Sequence, residues 1–123
     1  MSRHVLVIED NVINLELLVC ALTAFGHQVQ SAMSGEQGQE KVRSDPPAII
    51  LCDIQMPGMD GYQFAQWLKA EPAFGQIPLI GVSALAMAGD RDKAIQAGFD
   101  DYLSKPVDFD TMRSSLARFG FGR

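Results

Sequence analysis

The sequence predicts an α/β fold, an open parallel sheet with helices on both faces. Two observations carry this. Five short apolar runs alternate strictly with five segments that carry helix caps or helical apolar spacing. The central run, Ala48-Ile49-Ile50-Leu51-Cys52-Asp53, is continuously apolar up to its last residue and lies between Pro46-Pro47 and a Pro-Gly turn. Such a run suits a strand buried on both faces, as in a parallel sheet covered by crossover helices.

Taken in order, His4-Val5-Leu6-Val7-Ile8 reads as a buried first strand ending at Glu9-Asp10-Asn11. Ile13, Leu15, Leu18, Val19, Leu22 and Phe25 then fall mostly at three- and four-residue steps. They predict an amphipathic helix capped by Asp10 or Asn11 and stopped at Gly26. Residues 28–32 alternate polar with small or apolar side chains and predict an edge strand. Ser34 and Gln37 have capping-box spacing, although Gly35 and Gly38 weaken the helix they open. After the central strand, Asp60 caps a third helix through Tyr62, Phe64, Ala65 and Leu68, ending before Pro72. A fourth strand runs from Pro78 to Ser83, and a fourth helix from a cap near Asp90 to Gly98. Asp101-Tyr102-Leu103-Ser104 forms the fifth strand, leading into Lys105-Pro106. Asp108 caps a last helix carrying Phe109, Met112, Leu116 and Phe119, with Gly120 as its stop and the following residues frayed. Trp67 falls near the polar side of the third helix and is expected to be partly exposed.

Right-handed crossovers and the flavodoxin-like strand order 2-1-3-4-5 make this a doubly wound (βα)5 sheet. Its ligand crevice opens between the first and third strands. The strand ends then deliver Glu9, Asp10, Asp53, Ser83 and Lys105 to one edge. Each alone has a structural reading as a cap, a loop residue or a solvated charge; their coincidence favours a site. Three carboxylates repel, and a divalent cation relieves them. Oxygen ligands without His or Cys point to a hard ion, Mg²⁺ in preference to Ca²⁺. Cation, ammonium and hydroxyl around a carboxylate suit phosphoryl transfer, with the carboxylate able to accept the group as an acyl phosphate.

At 123 residues, one domain spanning 1–123 is expected. The net charge of −5, with no Lys/Arg cluster to offset it, argues against nucleic acid as a partner. No apolar stretch approaches the ~20 residues of a membrane span, and no signal peptide opens the chain. Cys20 and Cys52 lack metal-type spacing and read as reduced core residues, consistent with a cytoplasmic protein. His4 and His27 are isolated, and the methionines are scattered as gap-fillers.

The ordered set Glu9-Asp10-Asn11, Asp53 with Met56-Pro57-Gly58-Met59-Asp60-Gly61, Val82-Ser83-Ala84, Gly98-Phe99-Asp100-Asp101-Tyr102 and Lys105-Pro106 resembles the receiver domain of two-component response regulators. The resemblance runs from Val5 to about Phe119 and is strongest to single-domain regulators and hybrid-kinase receivers, implying no output domain. It implies that Asp53 accepts a phosphoryl group from a phosphohistidine of a sensor histidine kinase or histidine phosphotransfer protein. It implies Mg²⁺ on Asp10, Asp53 and the backbone carbonyl of Gln55, with Glu9 acting mainly through water. Lys105 and Ser83 would contact the phosphoryl oxygens, and Lys105-Pro106 would be cis. Ala84 would leave space beside the acceptor. Tyr102 would be the switch aromatic, following Ser83 and reshaping the face that binds a downstream partner. Gln55 and Leu85 would tune the phosphoryl lifetime, an apolar Leu85 slowing hydrolysis.

Other functions fit less of the chain. A constitutive protein-interaction receiver shares the fold without the switch. A Mg²⁺-dependent phosphatase of haloacid-dehalogenase type would carry a second Asp where Gln55 stands, and a cap segment besides. A flavodoxin-like electron carrier would want a phosphate-binding loop where Glu9-Asp10 would repel phosphate.

Overall fold

The computed structural model describes residues 3–84 and 89–121. Five parallel strands, β1 (Val5–Ile8), β2 (Val29–Ala32), β3 (Ile49–Asp53), β4 (Leu79–Ser83) and β5 (Asp101–Ser104), form one sheet in the order β2-β1-β3-β4-β5. Helices α1 (Val12–Ala24), α2 (Gly35–Ser44), α3 (Gly61–Ala70), α4 (Asp90–Ala97) and α5 (Phe109–Leu116) connect and follow them. This is the expected flavodoxin-like fold, with polar β2 at one edge.

The pleat sorts the strand side chains between two cores. Val5, Val7, Ile49, Leu51, Ile80 and Val82 meet Leu15, Leu18 and Leu22 of α1 and Met112 and Leu116 of α5. Leu6, Ile8, Ile50, Cys52 and Leu79 meet Val42 of α2, Phe64 and Leu68 of α3 and Ala94 of α4. Every residue of β1, β3 and β4 is buried, which explains their unbroken apolar runs.

The caps follow the sequence closely. Asn11, not Asp10, caps α1, its side chain accepting the Asn14 N–H, and Gly26 after it adopts φ +95°. Asp60 and Gln63 form a full capping box on α3. Asp108 caps α5. Ser34 caps α2, but Gln37 turns its side chain one residue further back, to the Met33 N–H. Gly89, at φ +95°, occupies the cap position of α4, so Asp90 is its first helical residue.

Three further expectations change. Ile13 is 66% exposed instead of lying on the core stripe of α1, because it stands about 200° around the helix from Leu15. Cys20 stands the same angle from Leu18 and is exposed, so only Cys52 is a core thiol. The chain after α5 is not frayed through Phe121. A wider turn, Ala117–Phe121, reverses at Gly120 (φ +91°) and buries the Phe121 ring against His27, with the Arg3 guanidinium 4.9 Å from it. Trp67 is half-buried between Phe64 and Phe74, as its place on α3 led one to expect. Leu85 and Met87 lie outside the described residues.

Candidate functional site

Register brings the site together. Ile8 pairs with Cys52, so the residues that follow, Glu9 and Asp53, are level on adjacent strands. Asp53 pairs with Val82, and Ser83 pairs with Ser104, one residue before Lys105. The backbone is locked at this edge by Glu9 N–H to the Ala32 carbonyl (3.0 Å), Ile54 N–H to Val82 (3.0 Å) and Lys105 N–H to Ser83 (2.7 Å). Lys105-Pro106 is cis.

Glu9, Asp10 and Asp53 offer carboxylate oxygens that all lie within 4.8 Å of one another. Glu9 and Asp53 are buried, Asp10 only partly. One oxygen of Glu9 accepts the Asn11 N–H at 3.1 Å, and Asp53 Oδ1 accepts the Gln55 N–H at 3.1 Å. Lys105 Nζ reaches Glu9 Oε1 at 2.8 Å and Asp53 Oδ2 at 3.4 Å. The counter-charge expected for Asp53 is therefore shared, and Glu9 holds the nearer part of it.

Burial lifts the Asp53 carboxyl to about 7, helped by a hydrogen bond with Glu9 and by the Glu9 charge. Lys105 and the Gln55 N–H pull it down without reversing that shift. Burial lowers the Lys105 ammonium, but its hydrogen bond with Glu9 and the two carboxylate charges outweigh this and hold it above its usual value. Burial, then the charges of Asp53 and Glu9, push the Cys52 thiol well up, leaving it inert beside the acceptor.

An all-oxygen cluster of three acids with one ammonium among them has negative charge left over. That donor set fits a hard dication such as Mg²⁺.

Ser83 is buried, and its hydroxyl donates to Gln55 Oε1 at 3.4 Å. The sequence flagged Gln55 for its backbone carbonyl; the side-chain contact with Ser83 depends on the loop after β3, which no pattern of residue types reveals. Tyr102 pairs with Gly81 on the neighbouring strand, two residues before the Ser83 row, and is half-buried on the α4 side of the sheet. Beside the acids, a cleft lined by Leu17, Leu18, Val107 and Phe109 runs between α1 and the β5–α5 connection to Lys105.

A family model of the response regulator receiver domain matches residues 5–117. The chain belongs to this family. The receiver is 40% identical over 123 residues to response regulator PleD of Caulobacter vibrioides, covering 97% of this chain and 27% of that protein's length. It is 36% identical over 107 residues to the polar-differentiation response regulator DivK of Brucella ovis, covering 87% of each. Its fold matches the receiver domain of a sensor histidine kinase from Pseudomonas aeruginosa, whose structure has a magnesium ion coordinated in the active site cleft. That match has a TM-score of 0.87 and 29% identity, and covers 97% of this chain and 98% of the other.

Receivers are phosphoacceptor switches of two-component signalling rather than classical enzymes. They bind Mg²⁺ at an acidic pocket and accept phosphate from histidine kinases or phosphotransfer proteins. No helix among the described residues is long and apolar enough to cross a membrane.

Proposed function

We propose that Asp53 is the phosphoryl acceptor of this receiver, with Asp10, Asp53, Glu9 and the Gln55 backbone carbonyl as the Mg²⁺ site. The observation that carries this is the buried Asp53 carboxyl, held up to about 7 beside two further acids, with Lys105 Nζ 3.4 Å away. A carboxylate so placed has an unmet demand for positive charge; a dication beside Lys105 would meet it and would also offset the negative charge that an arriving phosphoryl group brings.

The carboxylate attacks phosphorus of a donor phosphohistidine. The new Asp53 O–P bond forms as the N–P bond breaks, and the imidazole nitrogen leaves with the bonding pair. Mg²⁺, when bound, neutralises charge on the acids and the phosphoryl oxygens. Lys105 transfers its ammonium from Glu9 toward a phosphoryl oxygen. Ser83 exchanges its hydrogen bond to Gln55 for one to another phosphoryl oxygen, and Tyr102 follows into the vacated space. Moving an equilibrium from 1:99 to 99:1 takes about 5.5 kcal/mol of preference between states. One ion pair at ~4 Å and an effective dielectric of about 20 supplies ~4 kcal/mol before desolvation. Lys105 and Ser83 therefore act together.

Val12, Ile13 and Leu17 expose apolar side chains on α1, and Phe109 does so across the adjacent cleft. We assign this rim to the docking of a phosphohistidine-bearing kinase or phosphotransfer protein. A cytoplasmic setting, where thiols stay reduced, suits the free Cys20 and Cys52.

Incubation with Mg²⁺ and acetyl phosphate, followed by intact-mass measurement, tests the assignment. One phosphoryl group is expected on wild type, with none on Asp53→Asn and none after chelation. An adduct on Asp53→Asn equal to wild type would place the acceptor elsewhere.

A further inference from the structure

The Asp101 carboxylate, at the start of β5, is buried yet carries contacts from three other parts of the chain. Its Oδ2 accepts the Ser115 hydroxyl of α5 at 2.5 Å and pairs with Arg118 in the turn after α5. Its Oδ1 accepts the Tyr102 N–H at 2.8 Å and one guanidinium nitrogen of Arg91 at 3.0 Å. The other terminal nitrogen of Arg91 donates to the Tyr102 carbonyl at 3.4 Å. Arg91 is the second residue of α4, so this grip ties the first turn of that helix to the Asp101 carboxylate and the Tyr102 carbonyl of β5.

Among the described residues of this eight-residue helix, Ala94, the one buried, and the half-buried Ala97 join α4 to the core. Its cap, Gly89, brings no side chain to bond the first-turn amides. Lys93 reaches the Tyr62 ring of α3 at 4.8 Å, a contact on the helix's other neighbour. In chain order α4 is the element that follows β4, whose last residue is Ser83.

The two arms of Asp101 are unequal in consequence. If the Arg91 arm opens, Oδ1 keeps the Tyr102 N–H and Oδ2 keeps Ser115 and Arg118, so the buried charge stays compensated. The Arg91 side chain is 57% exposed, so its bonds exchange readily for water and weaken in salt. Arg118 is as exposed, at 59%, so the fixed contacts are Ser115 and the Tyr102 N–H, and of the two releasable guanidiniums Arg91 is the one on α4.

We propose that the Arg91–Asp101 pair is a latch that holds the first turn of α4 on β5, and that its opening frees α4 to respond when Asp53 is phosphorylated. The coupling rests on the reading of Asp53 and Tyr102 given above; the hold on α4 does not. Because the latch favours the unphosphorylated arrangement, removing it speeds phosphorylation by the factor it contributes, about two- to fivefold for an exposed pair.

Hydrogen exchange by mass spectrometry and phosphorylation by acetyl phosphate with Mg²⁺ test this on the whole chain, comparing wild type, Arg91→Met and Arg118→Met. In Arg91→Met the first-turn amides of α4 should exchange about two- to fivefold faster while α5 is unchanged, and phosphorylation should accelerate by a similar factor. Raising NaCl from low concentration to 1 M should loosen α4 in wild type and not in Arg91→Met. Arg118→Met should loosen the end of α5 and leave α4 alone. Wild-type exchange at α4 in Arg91→Met, or faster exchange with an unchanged phosphorylation rate, would overturn the proposal, as would equal loosening of α4 in Arg118→Met. If wild type takes up no phosphoryl group, the reading of Asp53 fails and the coupling with it, while the exchange comparison still decides whether Arg91 holds α4.

Discussion

The ammonium of Lys105 lies 2.8 Å from Glu9 Oε1 and only 3.4 Å from Asp53 Oδ2. Glu9 thus competes with the acceptor for the lysine charge, while its own charge and hydrogen bond help hold the Asp53 carboxyl up to about 7. Two substitutions should move Asp53 in opposite directions. Glu9→Gln removes a charge that raises it, so Asp53 should titrate below 7. Lys105→Met removes a charge that lowers it, so Asp53 should titrate above 7. Carboxyl ¹³C titration in chelator checks both, and the same direction in the two variants would show that the ion pairs do not set the acceptor's ionisation.

The same carboxyl ties stability to pH. Asp53 binds its proton more tightly in the folded chain, at about 7, than in the unfolded chain, at about 4. Its contribution is therefore full below pH 4, where both states are protonated. It is lost as pH rises from about 4 to about 7, because only the folded state must give up a tightly held proton. In chelator, wild type should lose about 2–4 kcal/mol relative to Asp53→Asn across that window. Mg²⁺ should restore most of it at pH 8 by binding the folded state. Urea unfolding at a series of pH values measures the difference; parallel curves for the two proteins would remove Asp53 as the cause.

What the sequence discloses of the site is what lies at strand ends. Glu9, Asp53, Ser83 and Lys105 each follow or close an apolar run, and parallel register alone brings such positions to one edge. The contacts between them are less legible, because they depend on side-chain torsions and loop paths. The lean of Lys105 toward Glu9 and the Ser83–Gln55 hydrogen bond are of this kind. Helix faces fail for another reason. Val12, Ile13, Leu15, Leu17, Leu18 and Leu22 put apolar side chains nearly all around α1, so periodicity cannot say which of them meet the sheet. The leftover apolar residues, Val12, Ile13 and Leu17, are the ones that need a partner. Asp101 escaped for a third reason: nothing local distinguishes its buried carboxylate from exposed Asp100 beside it, and only the pleat of β5 separates them.

Gly61 supports the acceptor from behind. Its N–H donates to the Ile54 carbonyl at 2.8 Å, and a β-carbon there would lie 2.5 Å from Ile54 Cα and 2.8 Å from the Asp53 carbonyl oxygen. These are backbone atoms at the end of a buried strand and have no flexible end to turn aside. Gly61→Ala should therefore cost about 1–3 kcal/mol, as overpacking does, despite alanine's better helix propensity, and should slow phosphorylation by displacing Asp53. Gly58→Ala, with φ +73° but only a Glu36 carboxylate oxygen at 3.9 Å near the added carbon, should cost about 1 kcal/mol and affect phosphorylation less. Urea unfolding and acetyl phosphate kinetics on both variants check the order; a Gly61→Ala protein as stable and reactive as wild type would show that the α3 start does not buttress the site.

The apolar rim of α1 separates two chemistries that share one acceptor. Acetyl phosphate needs only the acids, Lys105 and Ser83, whereas a phosphohistidine protein must also bury surface beside them. Ile13 is 66% exposed and Leu17 54%, and burying a large aliphatic side chain is worth about 1.5–3 kcal/mol. Ile13→Glu and Leu17→Glu should thus lower kcat/KM for transfer from a phosphorylated histidine donor protein by about tenfold or more, through KM. Their rates with acetyl phosphate should stay within about twofold of wild type, since neither residue is among the acids, lysine or serine of the site, and an exposed position tolerates the charge without unfolding. Equal losses with both donors would mean that the substitutions disturb Glu9 and Asp10 through the start of α1. No loss with the protein donor would move the docking surface off this helix.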